Sequence, residues 1–372
     1  MGIKGLSSFL NKPRRFSSCD DEVLKLRGNE SIFVTRKTID LAGGIVLIDT
    51  PIVLHTFKSF SPQDDGWLVG LANYIAELRF KNVHLAFVFE GTAPIAKADT
   101  QQKRIDDKKR MSEKNETLLN DFDFFEKSGE VSDRLDQERI RLEKMKKLSF
   151  DMKSLKDELE RQKFNTFRIG KKEIKMMEEL LDLLGITRIQ AEGEAEQCCF
   201  SLSENENVVG VFTKDSDIHA YGTKTVITDL GVKTFTYTTN QMMQYCLNLD
   251  HASMLDFFIL CGTDYNSKID KIGPVNAFKH IQTHRCIENV LREFNITPPE
   301  TFTFQESRKL FNQEHVKMKI PFNVLPLKED EFSVECRKLF EKYNVALDEE
   351  RIRSIFHKLT SVDPAVVVRQ VD

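Results

Sequence analysis

Residues Glu192–Asp217 read EGEAEQCCFSLSENENVVGVFTKDSD, and the rest of the chain is arranged around them. Alternating glutamates at 192, 194 and 196 open the stretch, and Asp215 and Asp217 close it. Between them lie a short helix-like apolar run, a polar turn at Glu204–Asn207 and a strand-like run, Val208–Thr213. Alternate residues of an extended segment share a face, so Asp215 and Asp217 can direct both carboxylates to one point beyond the strand. Helical residues two apart do not face each other. Glu194 and Glu196 therefore act together best at a loop-to-helix junction, Glu194 before the first turn and Glu196 inside it. Four carboxylates at one place repel and take up protons unless a cation neutralises them. An all-oxygen ligand set suits a hard divalent ion, Mg²⁺ or Mn²⁺. A lone Asp-Xaa-Asp is more often a helix cap or a solvated turn; the Glu-Ala-Glu placed before the same strand strengthens the metal reading.

Outward from this stretch the pattern repeats. Ile45–Asp49 (IVLID) reads as a buried strand ending in Asp49, and VHLAFVF at 83–89 as another, followed by Glu90 and Gly91. In open α/β sheets ligands gather beyond the carboxyl ends of strands, so three strands that end in acids point to one site. Thr50–Phe60 turns helical and carries His55; Gly66–Phe80 has the spacing of an amphipathic helix. Residues 11–44 read as irregular. The segment 94–165 is crowded with charge of both signs, basic at its start (Lys97, Lys103, Arg104, Lys108, Lys109, Arg110). Its later part, Glu138–Lys163, reads as one long helix with a thin apolar stripe. A solvated hairpin and a mobile, basic-mouthed gate over the site are equally compatible with that composition. Beyond it come a helix stopped by Gly185, adjacent strands at Thr225–Thr228 and Lys233–Tyr237, an apolar helix running into CGTDYN with Asp264, and a helix opened by Gly273-Pro274. Backbone groups at such a hairpin can grip a phosphate chain or a monovalent cation.

The composition sets limits. At 372 residues, 40% hydrophobic and 30% charged, the chain is ordinary for a water-soluble protein. A net charge of −4 argues against a uniformly basic nucleic-acid binder but leaves room for local basic patches. Seven cysteines without Cys-Xaa-Xaa-Cys spacing argue against a zinc ribbon or disulfide scaffold and for a reducing compartment. With no membrane-length apolar run and no signal-peptide core, the expectation is a soluble, intracellular protein.

With these residues in place the chain resembles the flap endonuclease (XPG-type) family of 5′ structure-specific nucleases. The resemblance rests on an ordered series: MGIKGL, IVLID, FVFEG, GEAEQ, TKDSDIHAYG, CGTDYN and IGP. It implies an α/β, PIN-like fold: a twisted, mostly parallel sheet flanked by helices, with a helical arch insertion and a helix–two-turn–helix element. The expected organisation is a nuclease core at 1–290, containing the arch at 94–165 and the helix–two-turn–helix at 262–285, and a C-terminal helical extension at 291–372. The family's metal-site carboxylates fall on Asp49, Glu90, Glu194, Glu196, Asp215, Asp217 and Asp264; the pair Glu192/Glu194 offers a rival register. The arch-base cations fall on Lys97 and Arg104, the stacking position on His55 and the N-terminal glycine on Gly2. Lys103, Lys108, Lys109, Gly273 and Pro274 are expected DNA contacts.

The implied activity is phosphodiester hydrolysis at 5′ flaps, nicks or ends in DNA replication, repair or recombination. The implied cofactors are two Mg²⁺ ions, replaceable by Mn²⁺, with K⁺ a candidate at the helix–two-turn–helix. The implied partner is branched or nicked duplex DNA, with RNA as an alternative substrate, and the implied state is a monomer. A 5′-to-3′ exoribonuclease of the related family and a non-catalytic scaffold are the rival readings. Three departures stand out: Glu90 in place of the usual Asp, Lys271 in place of the first glycine of Gly-Ile-Gly (with Val275-Asn276 in place of basic residues), and a longer arch. No sliding-clamp-binding tail is recognised at the end, VVVRQVD.

Overall fold

The structure is a computed structural model that describes residues 2–11, 32–61, 64–92, 97–164, 169–312, 314 and 319–361, the side chains at 98–101, 104, 163 and 164 excepted. Seven strands form one sheet: β1 (Val34–Lys37), β2 (Ile45–Asp49), β3 (His84–Phe89), β4 (Thr187–Gln190), β5 (Val208–Phe212), β6 (Thr225–Leu230) and β7 (Thr234–Thr239), in the order β1-β7-β6-β5-β2-β3-β4. The five strands from β6 to β4 are parallel, and β7 runs antiparallel to both β6 and β1. All five residues of β2 are buried. Ile45 and Leu47 enter one core and Val46 and Ile48 the other, the period-two signature of a strand covered on both faces.

Helices close both faces. Leu6–Leu10, Ala195–Leu202, His251–Cys261 and Pro274–His284 cover one. Trp67–Phe80, Lys171–Leu183, Glu329–Lys342 and Glu349–Thr360 cover the other, the last two inserting Phe332, Phe340 and Ile355. Asn323 bonds the edge of β3 just before β4 begins to pair with it: its side chain accepts from Leu85 N at 2.6 Å and donates to Leu85 O at 2.8 Å. Arg308, on Phe304–Phe311, binds Asp256 through two nitrogens and also Glu288. Among the described residues the six cysteines are free and no helix is long and apolar enough to cross a membrane. Cys19, the Arg14-Arg15 pair and the VVVRQVD end lie outside the described residues.

The insertion differs from its sequence reading. Ala98–Ser128 is a single 31-residue helix, and the expected long helix over 138–163 is two, Asp133–Lys146 and Met152–Phe164. Lys147 takes a left-handed backbone (φ 54°). Phe150 N then donates to Glu143 Oε1, and Asp151 caps the next helix by accepting from Ser154 N at 2.7 Å. The turn divides the stripe: Leu142, Leu155 and Leu159 are buried, whereas Met145 and Leu148 are 59% and 63% exposed. The buried half joins Leu118, Phe122 and Leu135 in a small core separate from the two flanking the sheet. Lys114–Glu138 and Lys156–Glu126 ion pairs tie the three helices across their outer faces.

Of the stretch 11–44 expected to be irregular, the described part from residue 32 onward holds β1 and a 3₁₀ turn at Thr38–Leu41. Three of the four β1 residues are exposed and β4 (TRIQ) is largely polar. Such edge strands carry little apolar signal and are specified by the neighbour they pair with.

Candidate active site

The sheet winds outward in two directions, β2 to β3 to β4 on one side and β5 to β6 on the other. β2 and β5 thus flank the point where strand order reverses, the place where a crevice opens in such sheets. Asp49 is the last residue of β2, Glu90 follows β3, and Thr213 follows β5.

The Thr213 hydroxyl donates to Asp49 Oδ2 at 2.7 Å and accepts from Asp215 N at 3.0 Å, so one side chain aligns two acids. Asp215 Oδ1 accepts from Asp217 N at 3.0 Å. On the facing side, Glu194 precedes the Ala195–Leu202 helix, Glu196 lies in its first turn, and Glu90 accepts from Ala195 N at 3.4 Å. This is the junction that the spacing called for. Asp264 is buried after His251–Cys261, in a turn where Asn266 accepts from Thr263 N and donates to Ile259 O.

Lys97 is 5% exposed and stands among these acids. Its Nζ is 2.5 Å from Glu194 Oε1, 3.9 Å from Asp264 Oδ2 and 4.8 Å from the centre of the Tyr265 ring. The Tyr265 hydroxyl donates to the other oxygen of Glu194. Sequence reasoning did not single out Tyr265 or Thr213, although Tyr265 adjoins Asp264 in CGTDYN and Thr213 lies two residues before Asp215 in TKDSD.

Burial dominates the electrostatics. It pushes the Asp49 carboxyl up to about 7, with the charges of Glu90 and Asp215 adding and the Thr213 hydrogen bond opposing. Burial and then Asp215 hold Glu196 and Asp217 well above the usual carboxylate range. Glu194 is raised too, because burial outweighs the Lys97 charge beside it. Burial works against the Lys97 ammonium, but Glu196 and Glu194 more than offset it, so Lys97 stays charged.

Asp217 is 1% exposed and neither of its carboxylate oxygens has a hydrogen-bond partner. An unpaired buried carboxylate is costly, and a cation is the partner that such a group fits. Among the described residues no three acid, thiol or imidazole groups already enclose a single ion. Six of the seven acids, Asp49, Glu90, Glu194, Glu196, Asp215 and Asp264, line a cavity of about 810 Å³, open enough for ions and a phosphate together; Asp217 is not part of its wall.

His55 and Lys108 contribute to the same cavity wall. Burial, and then the Lys108 charge, lower the His55 pKa, which leaves a neutral flat ring at pH 7. Lys103 and Lys109 are exposed on Ala98–Ser128, away from the wall. The Arg104 side chain and Pro94 lie outside the described residues. Gly273 and Pro274 open the Pro274–His284 helix; Pro274 packs near Gly5, where a Cβ would lie 3.1 Å from Pro274 Cγ, and a Cβ on Gly273 would meet nothing within 4 Å.

Gly2 belongs to the acid cluster itself. Its backbone is left-handed (φ 76°), and a Cβ there would lie 1.9 Å from Asp215 Oδ1 and 2.8 Å from Asp217 N. Gly2→Ala should therefore displace Asp215 and lower turnover about a hundredfold while leaving the melting temperature within a few degrees; wild-type turnover would show that the contact is dispensable. Lys271, at the glycine position of the expected Gly-Ile-Gly, is also left-handed (φ 65°), with its carbonyl held by Asn276 at 2.9 Å. Lys271→Gly should then stabilise the protein by about 1 kcal/mol, read by chemical denaturation; a loss of stability would show that the lysine is not strained there.

Comparison with known proteins adds the following. The family model of the XPG I-region matches residues 185–264. A probable RAD2-like endonuclease of Invertebrate iridescent virus 3 is 31% identical over 324 residues, covering 78% of this chain and 81% of the relative. Flap endonuclease 1 of Tetrahymena thermophila is 27% identical over 306 residues, 74% and 71% of the two chains. Among solved structures, the catalytic core of Rad2 in complex with DNA substrate superposes with a TM-score of 0.60 at 16% identity, covering 96% of this chain and 99% of that one. Flap endonuclease-1 from Methanococcus jannaschii gives 0.56 at 18% identity, covering 88% and 95%. At these identities the superpositions establish the fold.

Proposed function

This chain belongs to the RAD2-like endonuclease family, and from that premise we propose that it is a metal-dependent nuclease that hydrolyses DNA phosphodiester bonds at 5′ flaps, nicks or 5′ ends. The observation that carries the metal is the buried Asp217 carboxylate with neither oxygen paired, set within reach of the charges of Asp215, Asp264 and Glu194. Asp215, Asp217 and Glu196 would hold a pair of Mg²⁺ or Mn²⁺ ions, with Asp49, Glu90, Glu194 and Asp264 completing the ligand set. Bound there, the ions would supply a water acidified for attack and charge to stabilise the leaving 3′ oxygen.

The chain's own residues do the rest. Lys97 is kept charged by Glu194 and Glu196 and offers its ammonium to a non-bridging phosphate oxygen. Tyr265 fixes that lysine from below. Thr213 holds the Asp49 and Asp215 arms at fixed spacing, and the neutral His55 ring gives a stacking surface for a terminal base. Glu90 reaches further than the usual Asp and is anchored at the helix start by Ala195 N, which supports a ligand role for it. All seven expected positions are acidic, which weighs against a scaffold that has lost its chemistry.

The test offers the full chain a 5′-flap duplex, a nicked duplex, a blunt duplex and single-stranded RNA, with Mg²⁺ or with EDTA. Mg²⁺-dependent product at the flap junction or from DNA 5′ ends supports the reading. A preference for RNA would replace it with the exoribonuclease, and tight binding without product would replace it with the scaffold.

The raised carboxyls fix a pH dependence. Protons compete with metal for these groups, so Mg²⁺ affinity should rise from pH 6 to pH 8, by about tenfold per unit for each proton displaced. Calorimetry in buffers of different ionisation enthalpy should show proton release that shrinks as pH climbs through about 7, the Asp49 value. Release of no protons at pH 6 would mean that the metal binds elsewhere.

A further inference from the structure

A second cavity, of about 230 Å³, opens beside Asp215, between the Leu6–Leu10 helix and residues of and just after β5 and β6. We propose that it is a subsite for one unpaired nucleotide of the substrate strand, with Lys214 holding the phosphate that joins this nucleotide to the scissile one. The inference rests on the nuclease reading and adds to it a place and a residue.

Lys214 and Asp215 line both cavities, so the two meet at this point. Lys214 is exposed, and it puts a positive charge on the ridge between an acid-lined cavity and a nearly neutral one. A phosphate crossing that ridge would meet this charge. The small cavity is lined by Leu6 and Leu10, by Phe33, and by Ser7, Thr228 and Thr236, the Thr228 hydroxyl donating to Thr236 O at 3.3 Å. Among its lining residues Lys214 and Asp215 are the sole Lys, Arg, Asp or Glu. Aromatic and aliphatic surface edged by neutral hydroxyls suits the face and edge of a nucleobase; the volume is small for a base pair. Thr228 is placed there by an irregularity of the sheet: the β6–β7 register shifts between Ile227 and Asp229. Such bulges re-aim a side chain and are over-represented beside active sites.

The test uses the full chain in EDTA with 5′-flap DNA carrying 2-aminopurine at one unpaired position at a time on either side of the cleaved bond. Ser7 and Lys214 are both exposed, so Ser7→Trp, which fills the pocket, and Lys214→Gln leave the core untouched. One probe position should change fluorescence with the wild type and not with Ser7→Trp, whose affinity falls about tenfold. Lys214→Gln should weaken binding about fivefold and reduce the slope of log K against log salt by about 0.7. Wild-type affinity and probe response in both variants, with wild-type cleavage of the same DNA in Mg²⁺, would overturn the subsite and leave the nuclease reading standing. No cleavage by the wild type would overturn both.

Discussion

Asp217→Asn should abolish metal-dependent cleavage, lowering turnover by more than about a thousandfold, while DNA binding persists or tightens. The same substitution should stabilise the metal-free protein at pH 8. Asp217 is buried without a partner and its folded pKa lies well above the unfolded value. A group raised in this way contributes stability that is complete below the unfolded pKa, near 4, and is lost as pH rises through the folded one. Asparagine does not titrate and escapes that loss. In EDTA the variant should therefore melt above the wild type at pH 8, and the difference should vanish near pH 4. In Mg²⁺ the order should reverse, because the wild type gains binding free energy that the variant forgoes. Melting curves at two pH values, with and without metal, give four numbers, and equal Mg²⁺ stabilisation of both proteins would remove Asp217 from the ligand set.

Lys97→Ala should act in the opposite direction on stability and in the same direction on rate. The ammonium sits between Glu194 and Asp264 and is buried with them. Removing one partner of a buried pair costs about 3–5 kcal/mol because the remaining charge is left uncompensated. The Glu194 carboxyl is already raised by burial; without the lysine it binds a proton more tightly still. The penalty should consequently grow as pH rises through the raised Glu194 pKa, and be larger at pH 8 than at pH 5. Turnover should fall about a hundredfold or more from the lost charge at the phosphate. Denaturant titrations at the two pH values check the first part and single-turnover rates the second. If Mg²⁺ restores stability without restoring rate, the lysine acts on the phosphate as well as on the acids. Full activity in the variant would assign it to structure alone.

The strands that carry the acids were readable because each is an apolar run with a buried core, and each ends at a carboxylate or within three residues of one. IVLID, HLAFVF and VVGVF supplied both the parallel core of the sheet and the points of convergence. β1 and β4 were not readable. VTRK and TRIQ have no buried face of their own and take their conformation from β7 and β3. In the insertion, charge pattern and stripe were visible, but the break at Lys147 was not: a lysine in a left-handed turn carries no sign of it in its identity, and the capping Asp151 lay within a run that also satisfied helical spacing. Lys97 was visible as one cation of a basic run. Its depth was not, because burial of a lysine depends on Glu194, Asp264 and Tyr265, which reach it from 97 to 168 positions along the chain.

The separate core of the insertion has a consequence for how such an enzyme can be altered. Leu118, Phe122, Leu135, Leu142, Leu155 and Leu159 are satisfied by one another and ask nothing of the sheet below. The three helices form a cartridge whose cohesion is internal, so lengthening, shortening or exchanging them leaves the catalytic floor with the same packing requirements. Sequence change in the insertion can therefore accumulate while the packing around the acids stays fixed.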